Sequence, residues 1–205
     1  MKVVVLGANG RAGEHVVCEA RDQGSIVTAV VRSDAKRPHD PARRVEVGAP
    51  SDPRFLAWVF RGHDAVISTL GGRSPTKKAT SICHKSARSI VDAAWDTGLK
   101  QGAVTSSALP FPSERLINRL PAAIVCNLVK SATRIERILQ TANLDVVVAG
   151  CGFLTDGEET GDRAEPVSLP NGGSSISRPG LPPSAHSLRS GVARSPSLGS
   201  RPFAG

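Results

Sequence analysis

The chain's 205 residues, 40% of them apolar, are enough for one domain with additions around a real core. Half of its net charge of +8 sits in residues 176–205, and only 3% of residues are aromatic, so no basic stripe with interleaved rings exists and nucleic acid is not an expected partner. No apolar run reaches the roughly 18 residues of a membrane span, and Val3–Leu6 is too short for a signal peptide; no membrane partner is expected, and the cytoplasm is the expected location.

Taken in chain order, the pattern is strand, helix, strand. Lys2–Leu6 reads as a buried strand, Arg11–Gln23 as an amphipathic helix, Ile26–Val31 and Val45–Val47 as further strands. Ser51-Asp52-Pro53 offers an N-cap and a first-turn proline for a helix with Phe55, Leu56, Val59 and Phe60 on one face, stopped by Gly62. Ala65–Thr69 is a fourth strand. A long helix over Ala79–Trp95, with Cys83, Ala87, Ile90, Val91 and Ala94 in register, ends at Gly98. Gly102–Thr105 gives a fifth strand, Leu128, Ala132, Ile135, Leu139 and Ala142 mark another helix, and Val146–Val148 a sixth strand. The expected fold is α/β, a Rossmann-type doubly wound parallel sheet in a single domain over residues 1–178. In residues 179–205, 15 of 27 are Pro, Ser or Gly and none is acidic, so this tail is expected to be disordered.

Cys18, Cys83, Cys126 and Cys151 form no C-x-x-C pair, and His15, His39, His63, His84 and His186 are scattered, so free thiols and no metal site are expected. The chemistry concentrates instead in Gly7-Ala8-Asn9-Gly10-Arg11-Ala12-Gly13, a G-x-x-G-x-x-G turn between the first strand and first helix. Gly7 permits the tight turn, Gly10 lets backbone approach a pyrophosphate, and Gly13 lets helix and strand pack closely. The helix N-terminus adds free N–H groups and a positive dipole end. Where an NAD enzyme carries an acid for the ribose 2′-hydroxyl, this chain has Val30-Val31-Arg32-Ser33. Arg32 suits a 2′-phosphate, with Ser33, Lys36 and Arg11 as helpers, so NADP, as NADPH, is the expected cofactor. The chain contains no tyrosine, which excludes a Tyr-x-x-x-Lys acid–base pair.

With Asp64–Gly72 (DAVISTLGG), Thr105–Ala108 (TSSA), Glu136–Asp145 (ERILQTANLD) and Leu154–Gly157 (LTDG), these motifs make the chain resemble the atypical short-chain dehydrogenases that join NmrA-like proteins with flavin reductase and biliverdin-IXβ reductase. The resemblance implies a nicotinamide near Leu70, Gly71 and Gly72, with Ser106 touching cofactor and Ser107 touching substrate. It implies an NADPH-dependent oxidoreductase passing hydride to a flat conjugated small-molecule acceptor such as a flavin, quinone or tetrapyrrole. The alternatives are a non-catalytic NADP(H) sensor of the NmrA kind, reporting to a protein partner, and a truncated relative that binds weakly. Lys130 and Glu136, six apart, do not share a helical face and read as surface. Three positions depart from the family pattern: Gly48-Ala49 replaces the Gly-Asp near the adenine, Gly150-Cys151-Gly152 replaces Arg-Pro-Pro, and Ile176-Ser177-Arg178 resembles the start of a closing helix that the next residues abandon.

Overall fold

The computed structural model describes residues 1–33, 44–71, 77–107, 134–135, 137–139, 141, 144–151, 153–155 and 175–177. Six strands, β1 (Lys2–Leu6), β2 (Ile26–Val31), β3 (Arg44–Val47), β4 (Ala65–Ser68), β5 (Gln101–Ser107) and β6 (Asp145–Cys151), form a sheet in the order β3-β2-β1-β4-β5-β6. Every neighbouring pair is parallel. The chain winds outward from β1 in one direction, returns to β4 on the other side of β1, and winds outward again. This is the doubly wound Rossmann arrangement, in which the strand order reverses between β1 and β4.

The period of two along β1 explains the layers. Val3 and Val5 pack with Val16, Val17 and Ala20 of helix α1 (Arg11–Asp22) on one face. Val4 and Leu6 pack on the other face with Leu56, Val59 and Phe60 of α2 (Pro53–Phe60) and with Ile90 and Ala94 of α3 (Lys77–Thr97). The stretch of a strand covered on both sides must be apolar throughout, and Val3–Leu6, the buried part of β1, meets that demand. Ile135 and Leu139 join Ala87 and Val104 in a third cluster, as expected for a helix in that stretch.

Local chemistry sets the ends of the elements. Asp52, not Ser51, caps α2: its Oδ1 accepts from the Arg54 N–H at 2.9 Å and the Phe55 N–H at 3.3 Å, with Pro53 at the first helical position. Helix α3 starts at Lys77 and runs to Thr97, two residues beyond the expected span at each end, and Gly98 follows it with φ +71°. Strand β5 continues past Thr105 to Ser107, and β6 runs to Cys151. Ile176 and Ser177 do not begin a helix. Ser175–Ser177 is strand β8, parallel to β7 (Phe153–Thr155), with Ile176 opposite Leu154. The polar–apolar–polar alternation suits a strand, and Pro179 disfavours the helical conformation for the residue before it. The expected tail, 179–205, lies outside the described residues. Among the described residues no helix is long and apolar enough to cross a membrane, and no group of three or more His, Cys, Asp or Glu could hold a metal ion.

His63 makes a half-buried polar contact that spacing alone does not reveal. It follows α2, and its Nε2 lies 2.9 Å from the Oγ1 of Thr28, a buried residue of β2. Burial holds the imidazole pKa below its ordinary 6.5; the carbonyl of Arg61 opposes the shift, the charges of Arg44 and Lys2 add to it, and the Val59 carbonyl opposes it. A depressed folded pKa means that the unfolded chain takes up the proton first on acidification. The stability contributed by His63 is therefore complete above 6.5 and is lost as pH falls from there toward the folded value. Urea midpoints measured at neutral pH and at a pH near the carboxylate range should fall more in wild type than in His63→Gln. Equal falls would show that this imidazole does not couple to folding.

Candidate functional site

The carboxyl ends of β1, β2, β4 and β5 carry the candidate residues. At the end of β1 the chain turns through Gly7, which has φ +81°, a conformation that L side chains rarely adopt. The Gly10 N–H closes the turn onto the Gly7 carbonyl at 2.8 Å, and the Glu14 N–H then bonds the Gly10 carbonyl at 2.9 Å, opening α1. Gly10 is the N-cap residue, and no side chain caps the helix. The orphan donors of the first turn thus remain available to an anion. Behind them, Gly13 packs against the turn: a Cβ there would sit 2.8 Å from the Gly7 carbonyl carbon and closer still to its oxygen. Asn9 and Ala12 are half-buried beside the turn, and Gly10 is exposed.

Thr69 holds this turn to the neighbouring strand. Its N–H and its hydroxyl both donate to the Leu6 carbonyl, each at 3.0 Å, and the hydroxyl also reaches the Gly7 carbonyl at 3.4 Å. The strands on the two sides of the switch point are tied at the position where the glycine turn begins. One strand further, the Thr105 hydroxyl donates to the Ser68 carbonyl at 3.2 Å. Sequence reasoning singled out neither threonine. A threonine at the end of a buried strand reads as a β-branched sheet residue, and the spacing of 63 residues between Thr69 and Leu6 gives no local sign of the contact.

On the β2 side, Arg32 and Ser33 are exposed directly after the strand. The register of β1 with β2 ends at Leu6 opposite Val30, so Arg32 follows two residues later, beside the glycine turn. The Val31 carbonyl accepts the Gly48 N–H at 2.9 Å. Gly48 has a packing reason of its own, because a Cβ there would lie 2.6 Å from atoms of the Phe55 ring. Lys36 lies outside the described residues.

On the β4 side, Leu70 packs partly against the core and receives a long contact at 3.8 Å from the Cys83 thiol to its carbonyl. Gly71 is exposed, and a Cβ there would meet nothing within 4 Å, so the space above it is open. Gly72 lies outside the described residues, as do Lys130 and Glu136. Ser106 and Ser107 are the last residues of β5, paired with Gly150 and Cys151. Because Ser68 pairs with Val104, continuing that register brings Leu70 level with Ser106 on the adjacent strand. The segments where the resemblance implies a nicotinamide thus lie at the carboxyl ends of the adjacent strands β4 and β5.

A glycine turn with φ > 0, a helix N-terminus without a side-chain cap, and backbone packing that leaves no room for a Cβ at Gly13 together define a fold able to receive a dinucleotide at its switch point. The chain belongs to the NAD(P)H-binding family, whose profile matches residues 7–181. Solved structures repeat the fold over nearly the whole chain. A protein from Lactobacillus casei is 22% identical with a TM-score of 0.77, covering 95% of this chain and 96% of its own. The oxidoreductase YlbE from Lactococcus lactis is 20% identical with a TM-score of 0.75, covering 93% of this chain and 85% of its own. ChuY, an anaerobillin reductase from Escherichia coli O157:H7, is 21% identical with a TM-score of 0.71, covering 99% of this chain and all (100%) of its own. The family fixes the cofactor class as the nicotinamide dinucleotides.

Proposed function

We propose that the protein is an NADPH-dependent oxidoreductase that reduces a flat conjugated acceptor, such as a flavin, a quinone or a linear tetrapyrrole. The observation that carries the choice of NADPH is Arg32, exposed after β2 beside the glycine turn where an NAD enzyme would carry a carboxylate. In this reading Gly7, Asn9, Gly10, Arg11, Ala12 and Gly13 hold the pyrophosphate, Arg32 and Ser33 the 2′-phosphate, and Leu70, Gly71, Gly72 and Ser106 the nicotinamide. Bound NADPH supplies the hydride. The protein's own work is then to orient the acceptor and shield it from water, with the Ser107 hydroxyl positioning the acceptor or passing it a proton from solvent. That division of labour suits a chain without tyrosine. The likeness to ChuY, named as an anaerobillin reductase, supports the reductase reading.

An NADPH oxidation assay against FMN, a quinone and biliverdin, run beside direct NADPH titration, tests this reading. Turnover of at least one acceptor is expected. Ser107→Ala should lower kcat while leaving NADPH affinity near wild type, and Ser106→Ala should act mainly on affinity. Tight NADPH binding without turnover of any of the three would overturn the reductase in favour of a sensor that reports NADP(H) to a protein partner.

A further inference from the structure

Three groups meet at the carbonyl of Gly7. The Gly10 N–H closes the turn onto it at 2.8 Å, the Thr69 hydroxyl reaches it at 3.4 Å from the neighbouring strand, and the first turn of α1 packs against it closely enough to leave no room for a Cβ at Gly13. The direction of this one peptide group therefore fixes where α1 begins relative to the end of β1. Gly7 alone does not set that direction, because a residue without a Cβ has the widest choice of backbone angles. The restraint comes from the end of β4. A Cβ built on Gly7 would lie 3.0 Å from the Thr69 Oγ1 and 3.2 Å from the Leu70 Cδ2, so these two side chains bound the turn as it leaves the sheet.

Thr69 suits this role by its place in the chain. Ile67 of β4 lies in the cluster that packs under α1, and the period of two puts Thr69 on the same face, toward the glycine turn. Its N–H continues the ladder with β1 by donating to the Leu6 carbonyl, which leaves the hydroxyl free to donate to Leu6 at 3.0 Å and to Gly7 at 3.4 Å. Neither acceptor needs that hydroxyl to be satisfied. Without it the Leu6 carbonyl keeps the Thr69 N–H, and the Gly7 carbonyl keeps the Gly10 N–H. Removing the hydroxyl strands no acceptor, so its cost to folding is small. What is lost is a lateral hold on the turn, and a loop ordered beforehand binds more tightly because less ordering remains to be done on binding.

We propose that Thr69 is a positioning residue for the dinucleotide: its hydroxyl holds the Gly7 peptide so that the N–H groups opening α1 converge on the pyrophosphate. This rests on the reading in which the turn from Gly7 to Gly13 holds the pyrophosphate. That group is common to NADPH and NADH, so Thr69 sets the affinity for both and the preference for neither, which separates its role from that of Arg32. Calorimetric titration of Thr69→Val and Thr69→Ser with NADPH and with NADH tests it, beside thermal melts and a titration of Gly13→Ala. Thr69→Val keeps the β-branched shape and loses the hydroxyl. It should weaken both cofactors by the same factor, roughly three- to tenfold, and melt with wild type. Thr69→Ser keeps the hydroxyl and should bind both cofactors as wild type does. A valine variant that binds like wild type, melts well below it, or shifts one cofactor alone would overturn the proposal, as would a serine variant as weak as the valine. Where the valine variant binds like wild type, Gly13→Ala locates the fault: in the assignment to Thr69 if Gly13→Ala still weakens binding, and in the reading of the glycine turn if it does not.

Discussion

Gly13→Ala will cost the protein both stability and its cofactor. The added methyl would meet backbone atoms of Gly7 and Ala8 at 2.8 and 2.9 Å, and neither is the yielding end of a side chain. Relief requires α1 to move away from β1, through a layer where Val16, Val17 and Ala20 interlock with Val3 and Val5. Overpacking of this kind costs on the order of 3 kcal/mol, which in a domain of this size lowers Tm by roughly 6–12 °C. The same movement displaces the helix N-terminus from the glycine turn, so NADPH affinity should fall by about a hundredfold or more. Gly71→Ala is the control for stability, because its methyl enters open space and should leave Tm unchanged. Thermal melts of both variants decide it: a Gly13→Ala protein melting with wild type would mean that the close approach can relax without loss.

Arg32→Ala will weaken NADPH while leaving NADH nearly unchanged. The 2′-phosphate is the covalent difference between the two cofactors, so a residue that reads it must change one affinity and spare the other. A charge-assisted hydrogen bond is worth about 1.5–3 kcal/mol, or roughly ten- to a hundredfold in dissociation constant. Arg32→Asp should go further, since it repels the phosphate and offers the ribose hydroxyls an acceptor, and it should invert the preference. If Arg11 or Lys36 shares the phosphate, the single change costs less and a double change reveals the remainder. Equal weakening of both cofactors would show that Arg32 acts through the fold.

The elements that carry the glycine turn were legible because their signals are local. Val3–Leu6 had to be a strand buried on both faces, and glycines at positions 7, 10 and 13 immediately before an amphipathic stretch left few other uses for that turn. Local signals also explain what was not legible. Ser51 and Asp52 are both good caps, and only the course of the backbone puts the Asp52 carboxylate on two N–H groups. The fifth strand read as ending at Thr105, but Gly150 and Cys151 lie alongside Ser106 and Ser107 and extend the ladder, a partnership made across more than forty residues. Ser175–Ser177 became a strand because Phe153–Thr155 was there to pair with it. The departure at Gly48-Ala49 was the missing acid at Ala49, while the glycine before it has a packing reason set by a phenylalanine seven residues on. In the site itself, backbone features could be inferred from glycine spacing, while the threonine ties between β1, β4 and β5 depend on neighbours far apart in the chain.

We propose that the end of the second strand distinguishes NADPH from NADH. The direct measurement is calorimetric titration of the wild-type chain with NADPH and with NADH at matched ionic strength, since phosphate contacts are screened by salt. NADPH should bind roughly ten- to a hundredfold more tightly. NADH binding as tightly as NADPH, or more tightly, would contradict it.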